Sequence, residues 1–78
     1  ISHYPYQYRS YQKLALVYNQ LGEIGLMHFY LSKAYYYQGK LAYALSQLKL
    51  AKSYFPIESR YYKEAEVKEE KLKTLLLN

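Results

Sequence analysis

The sequence predicts an all-α fold of four antiparallel helices, and three observations lead to this prediction. Residues that break helices recur at intervals of seventeen, at Pro5, Gly22, Gly39 and Pro56. Apolar residues recur at the same interval of seventeen. No segment bounded by turn residues shows the alternation of apolar and polar side chains that a strand would have. Because glycine and proline end helices, the chain divides into helical units of equal length.

The first helix is expected over residues 5–21. Proline is tolerated in a first turn because its missing N–H has no helical partner there. Apolar residues at the spacing of one buried helix face are Tyr11, Leu14, Tyr18 and Leu21. Gly22 then suits the left-handed residue that closes a helix.

The second helix is expected over residues 23–38, and it is apolar nearly all round. A helix of this kind packs between neighbouring helices instead of lying on a surface. Gly39 ends it. We therefore expect the second helix to be sandwiched between neighbouring helices.

The third helix is expected over residues 40–55. Its predicted buried side consists of Leu41, Ala44, Leu45, Leu48, Ala51 and Phe55. Pro56 stops this helix, because the residue before a proline is pushed out of helical geometry.

The fourth helix is expected over residues 57–76. Its predicted inner stripe consists of Tyr61, Ala65, Leu72 and Leu76, with the stem of Lys68 between them. The pairs Glu64–Lys68 and Glu69–Lys73 have the favourable i, i+4 order, and we assign them to the outer face. A polar outside and an apolar inside are typical of a terminal helix in a helical repeat.

Charge and composition predict no catalytic, cofactor-binding or metal site in these residues. The net charge of +5 comes from dispersed basic side chains, so we expect a solvated surface rather than binding to nucleic acid. Cysteine is absent, and His3 and His28 are twenty-five residues apart without carboxylates at ligand spacing. No apolar run approaches the ~18 residues of a membrane span.

Two seventeen-residue units equal the period of the tetratricopeptide (TPR) repeat, and residues 28–56 resemble its signature. The matching positions are Leu31, Tyr35, Ala44 and Pro56, whereas His28, Ser32 and Leu48 depart from the signature. The resemblance implies about two helix–turn–helix hairpins of a right-handed α-solenoid. Since such repeats need about three units for stability, we expect residues 1–78 to be a single domain from a longer chain.

Residues 25–39 and 44–51 also resemble the C-terminal TPR tail of BepA-type zinc metallopeptidases of the bacterial periplasm. This resemblance implies a periplasmic location and a parent enzyme whose tail positions substrates or docks on a partner. The zinc motif H-E-x-x-H of that family is absent here. Without the resemblance, the expected location is cytoplasmic.

The main functional hypothesis is a protein–protein interaction scaffold that binds a peptide or partner protein. If the second helix lines the groove of the solenoid, the partner-binding residues are Phe29, Lys33, Tyr36 and Tyr37. Tyrosine suits such sites because it offers a large contact area at low entropic cost. The same side chains could instead contact a preceding repeat. An RNA-binding helical repeat and a purely structural role are the alternatives.

The first helix is also a candidate for self-association. Its tyrosine-rich start would meet a preceding repeat in a longer solenoid, and the rings concerned are Tyr4, Tyr8 and Tyr11. Without that neighbour they would form an apolar patch, which a second copy of the chain can cover. We therefore expect a homodimer through the N-terminal helix.

Overall fold

The computed structural model describes residues 7–77, which form four helices and no strand. The helices are α1 (Gln7–Gln20), α2 (Ile24–Tyr37), α3 (Leu41–Lys52) and α4 (Arg60–Leu77). Each helix packs against the next one along the chain. The all-helical prediction is therefore confirmed for this part of the chain. None of the described helices combines the length and the apolar character needed to cross a membrane.

The first two helices end in the same glycine motif. Gly22 and Gly39 both have φ of +78°, as predicted for left-handed closing residues. After α1, the N–H of Glu23 donates to the carbonyl of Tyr18 at 2.9 Å. After α2, the N–H of Lys40 donates in the same way to Tyr35 at 2.9 Å. These six-residue closures satisfy carbonyls that a helix end leaves without partners.

The link between α3 and α4 is longer than the sequence predicted. The third helix ends at Lys52 rather than near residue 55, and turns follow it. The fourth helix begins at Arg60 rather than near residue 57. Ser59 caps it, because its Oγ accepts a hydrogen bond from the N–H of Tyr61 at 3.0 Å.

The core forms where α2, α3 and α4 meet. Its buried side chains are Phe29, Ala44, Leu48, Ala51, Ala65 and Leu72. Leu48, one of the larger side chains in this cluster, is only 1 % exposed. The predicted stripe of α3 is thus confirmed, since its members are in this cluster or packed against it.

Two stripes need correction. In the predicted stripe of the first helix, Leu14 and Leu21 are 38 % and 67 % exposed, and Leu21 lies in the turn after α1, whereas the unpredicted Ala15 is buried. A small side chain lets two helices approach closely, so Ala15 lies at the contact that the larger Leu14 was expected to make. On α4, Leu76 is 44 % exposed and does not belong to the inner stripe.

The acidic residues of α4 were also misplaced. The predicted pairs with Lys68 and Lys73 do form, at 3.1 Å each. However, Glu69 is buried and bonds Lys52 of α3 at 2.7 Å, while Glu64 bonds Lys33 of α2 at 3.3 Å. These carboxylates therefore face neighbouring helices rather than the outside.

Candidate functional site

A pocket of about 250 Å³ lies between α2, α3 and α4. Its lining residues are Ser32, Lys33, Tyr36, Tyr37, Leu48, Lys68, Lys71 and Leu72. Leu48 and Leu72 are core residues, so the base of the pocket is apolar and the polar groups lie above it. An apolar cavity with a few polar groups is the usual form of a binding site.

Helical periodicity explains how α2 and α4 form the walls. On α2, positions 32, 33, 36 and 37 fall on one side of the helix because they are one turn apart. On α4, positions 68, 71 and 72 do the same. Ser32 is small and buried, and its hydroxyl donates to the carbonyl of Phe29 at 2.6 Å. The volume between the walls is therefore not filled by a side chain from position 32.

Positive charge is concentrated at one side of this pocket. Lys33 Nζ and Lys68 Nζ both contact Glu64 Oε2, at 3.3 and 3.1 Å. The same two ammonium groups lie over the ring of Phe29, 5.0 and 5.9 Å from its centroid. Cations are attracted to the face of an aromatic ring, so Phe29 helps to keep the two ammonium groups close to each other.

The pKa values reflect this crowding. Burial lowers the pKa of Lys33, and the neighbouring charge of Lys68 lowers it further. Burial alone would raise the pKa of Glu64, but its hydrogen bonds and charge interactions with Lys68 and Lys33 lower the pKa overall. Glu64 is thus an ionised counterion shared by two lysines.

The structure brings together three of the four predicted groove residues. Lys33, Tyr36 and Tyr37 all line the pocket. Phe29 does not, because it is only 2 % exposed and packs edge-on against Tyr61 at a centroid distance of 5.4 Å. The prediction that Phe29 faces a ligand was wrong: it supports the lysines from within the core.

Sequence reasoning missed the contribution of α4. Lys68 and Lys71 occupy positions three apart on that helix and face α2 across the pocket. Their spacing places them on one face, which was a usable signal. The sequence did not show which neighbouring helix that face would meet.

The predicted self-association residues lie elsewhere. Tyr4 is outside the described residues. Tyr11 stacks on Tyr30 and Tyr37 of α2, with centroids 6.1 and 5.6 Å apart, so its ring is used within the chain. Tyr8 is half-buried, with the guanidinium of Arg9 5.9 Å from its ring centroid.

His28 has a packing role. Its Nδ1 donates to Gln47 Oε1 at 2.7 Å, and its ring stacks on Tyr54. These contacts join α2 to α3 and to the turn that follows it, as expected for a side chain in the seam between helices. Among residues 7–77, no three histidine, cysteine or carboxylate side chains are grouped as a metal site would require.

The arrangement can bind an anion against an apolar and aromatic surface. Lysine ammonium groups attract carboxylates and phosphates, and the tyrosines add contact area beside them. Comparison with known proteins adds no ligand, because no family model, curated protein or solved structure matches this chain.

Proposed function

We propose that this chain is a protein–protein interaction module that binds a peptide segment in the pocket between α2 and α4. The observation that supports this function is the grouping of Lys33, Tyr36 and Tyr37 over an apolar base. Exposed or half-exposed tyrosines beside a cavity provide contact area with few rotatable bonds. Tyr36 is 41 % exposed and is the side chain most accessible to a partner among these three.

We propose further that the helices are arranged as about two TPR-like hairpins of a right-handed solenoid. The consecutive packing of the helices and the repeated glycine closures after α1 and α2 support this arrangement. In such a solenoid, alternate helices line a continuous groove, and α2 and α4 would be one such pair.

The resemblance to BepA-type metallopeptidases supports a more specific proposal. The module would be the docking or substrate-positioning tail of an envelope zinc protease, with the zinc chemistry outside these residues. Reading the full open reading frame for H-E-x-x-H tests this assignment. An upstream sequence without that motif would reject it and leave the peptide-binding proposal unchanged.

A random peptide display library tests the binding proposal directly. We expect selection on the immobilised chain to enrich peptides whose affinity falls about tenfold in Tyr36→Ala, a typical loss for an aromatic contact residue. Tyr43→Ala is the matched control, since Tyr43 is 63 % exposed on α3 and does not line the pocket. No enrichment on a folded chain, or equal losses in both variants, would reject the function.

A further inference from the structure

The charges around the pocket are not balanced. Lys33, Lys68 and Lys71 line it, and Glu64 is the shared acidic partner of the first two. Lys71 is exposed and makes none of the ion pairs found among residues 7–77. The lysines that line the pocket therefore outnumber the carboxylate that neutralises them, and the excess positive charge would attract an anion.

Glu64 is placed as a replaceable counterion. Its side chain is 42 % exposed, compared with 18 % for Lys33, so water and solutes reach the carboxylate more easily than the lysine that it neutralises. A second carboxylate approaching from solvent would meet the same ammonium groups. In the Lys68–Glu64 pair both side chains are exposed, at 40 % and 42 %, and exposed ion pairs are weak, so exchanging the carboxylate partner of Lys68 requires little free energy.

The aromatic walls of the pocket indicate which groups of a ligand would accompany its negative charge. Tyr36 and Tyr37 meet edge to face, with centroids 5.4 Å apart, and both line the pocket beside the lysines. Leu48 and Leu72 extend this apolar surface at the base. A bare inorganic anion would leave the aromatic and aliphatic surface uncovered, whereas an acidic peptide with apolar neighbours covers both parts.

We propose that the pocket recognises an acidic peptide segment, with one carboxylate between Lys33, Lys68 and Lys71 and adjacent apolar residues on Tyr36 and Tyr37. Glu64 acts as an internal competitor, because it neutralises the lysines that the ligand carboxylate must reach. This inference rests on the proposed peptide-binding function. It adds the chemical class of the ligand and a built-in restraint on its affinity.

Fluorescence anisotropy with a labelled, capped peptide of alternating glutamate and leucine tests this inference, and the glutamine–leucine peptide serves as the reference. We expect the glutamate peptide to bind roughly tenfold more tightly than the reference. Glu64→Gln should tighten binding of the glutamate peptide about threefold or more, because it removes the competing charge. Lys71→Met should weaken binding roughly threefold to tenfold.

Lys49→Met is the matched control, because Lys49 is exposed on α3 and belongs to a separate depression that does not include the lysine pocket. Circular dichroism should show all three variants folded, since each replaces a side chain by one of similar length. Equal weakening by Lys49→Met and Lys71→Met would indicate diffuse charge attraction and overturn the inference. So would an unchanged affinity in Glu64→Gln.

The outcomes separate this inference from the proposed function. Equal binding of both peptides, with loss of affinity in Tyr36→Ala, would reject the acidic ligand and retain peptide binding. Failure of both peptides to bind would also reject the acidic ligand, and the unbiased library would still decide on peptide binding. Tighter binding of a labelled oligouridylate than of the glutamate peptide would overturn the inference in favour of a nucleic acid ligand.

Discussion

At the scale of single residues, small side chains set how closely the helices approach. Ala34, Ala44, Ala51 and Ala65 are each 0 % exposed, so their methyl groups lie entirely within helix contacts. Gly25 also lies at a close contact, with the residues that follow α3. A Cβ atom built on it would lie 2.8 Å from Cβ of Tyr54 and 3.0 Å from the ring of Phe55.

Gly25→Ala should therefore destabilise the chain by overpacking, by about 1–3 kcal/mol. Alanine is the better helix former, but the Tyr54 Cβ atom moves only with its backbone, so the clash should outweigh that gain. Urea unfolding followed by circular dichroism measures the change. Wild-type stability in Gly25→Ala would show that the α3–α4 link shifts freely.

Leu48→Ala should cost about 2–5 kcal/mol, as truncations of buried leucines do. For a chain of this size that is a large share of the free energy of unfolding. Leu50→Ala is the matched control, because Leu50 is on the same helix and 44 % exposed. Thermal melting should separate the two variants clearly. Equal melting temperatures would mean that Leu48 is not the centre of the core.

At the scale of the elements, α2 contacts every other helix. Its Tyr30 and Tyr37 rings stack on α1, His28 bonds α3, and Lys33 bonds α4. A polar contact also links α4 to α3, because Lys52 of α3 bonds Glu69 of α4. Glu69 pairs within α4 with Lys73 as well. The packing of α4 on α3 therefore includes a buried carboxylate that must stay ionised.

This carboxylate predicts an acid-labile contact between α3 and α4. The hydrogen bond from Lys52 lowers the pKa of Glu69 and, with Lys73, outweighs the opposing effect of burial. A carboxyl group with a lowered folded-state pKa contributes stability above its unfolded pKa of about 4.3, and that contribution disappears as pH falls through the folded pKa. The free energy of unfolding should thus decrease below about pH 5.

Glu69→Gln should flatten that part of the curve and lower stability at pH 7, because Lys52 then loses its ionised partner and Lys73 keeps only its longer contact with Glu70. Glu70→Gln is the matched control, since its side chain is 73 % exposed and reaches Lys73 only at 3.7 Å. Urea unfolding between about pH 3 and pH 7 measures both variants. A pH profile identical in Glu69→Gln and wild type would contradict this assignment.

The limits of the sequence prediction follow from the same contacts. The ends of α1 and α2 were predictable because glycine with positive φ has a local cause. The buried Glu69 was not assigned to the inner face, although it is four residues after Ala65 and three before Leu72. Helical periodicity shows that Glu69 lies on the same face as Ala65 and Leu72. Burial of its charge is tolerable only because tertiary packing places Lys52 beside it, and the sequence does not show that contact.

In the candidate site, too, the residues that share a helix face were predictable, whereas the contacts between helices were not. Lys33, Tyr36 and Tyr37 share a face of α2, which the helical period alone gives. Lys68 and Lys71 came from a helix whose neighbours the sequence did not specify. Phe29 was misplaced because α2 is apolar on several sides, and periodicity does not distinguish the side that meets a core from the side that meets a partner.

At the scale of the whole molecule, the shape limits how much can be buried. The Cα positions extend over 32 × 25 × 16 Å. Helices pack 8–10 Å apart, so the thinnest direction has room for about two of them. Many large apolar side chains consequently stay at the surface. One such row lies on α1 and the turn after it: Leu14, Val17 and Leu21, at 38 %, 48 % and 67 % exposure.

This row leads to a prediction about association. Leu14 and Val17 of α1 share one face with Leu21, which continues the helical hydrogen bonding into the turn after α1. Tyr11 already stacks on α2 and is a poorer contact for a second copy. We expect concentration-dependent dimerisation through this face, because pairing removes its apolar surface from water. Sedimentation equilibrium over a range of concentrations measures it.

Val17→Glu/Leu21→Glu should shift the chain to a monomer, because each carboxylate would have to be buried in the dimer contact. Val67→Glu is the matched control, since Val67 is 69 % exposed and belongs to α4 rather than to α1. Both variants should keep the helical circular dichroism of the wild type, because the substituted side chains are exposed. A wild-type monomer at the highest concentrations would reject the predicted dimer. A dimer that survives the double substitution would place the association surface elsewhere.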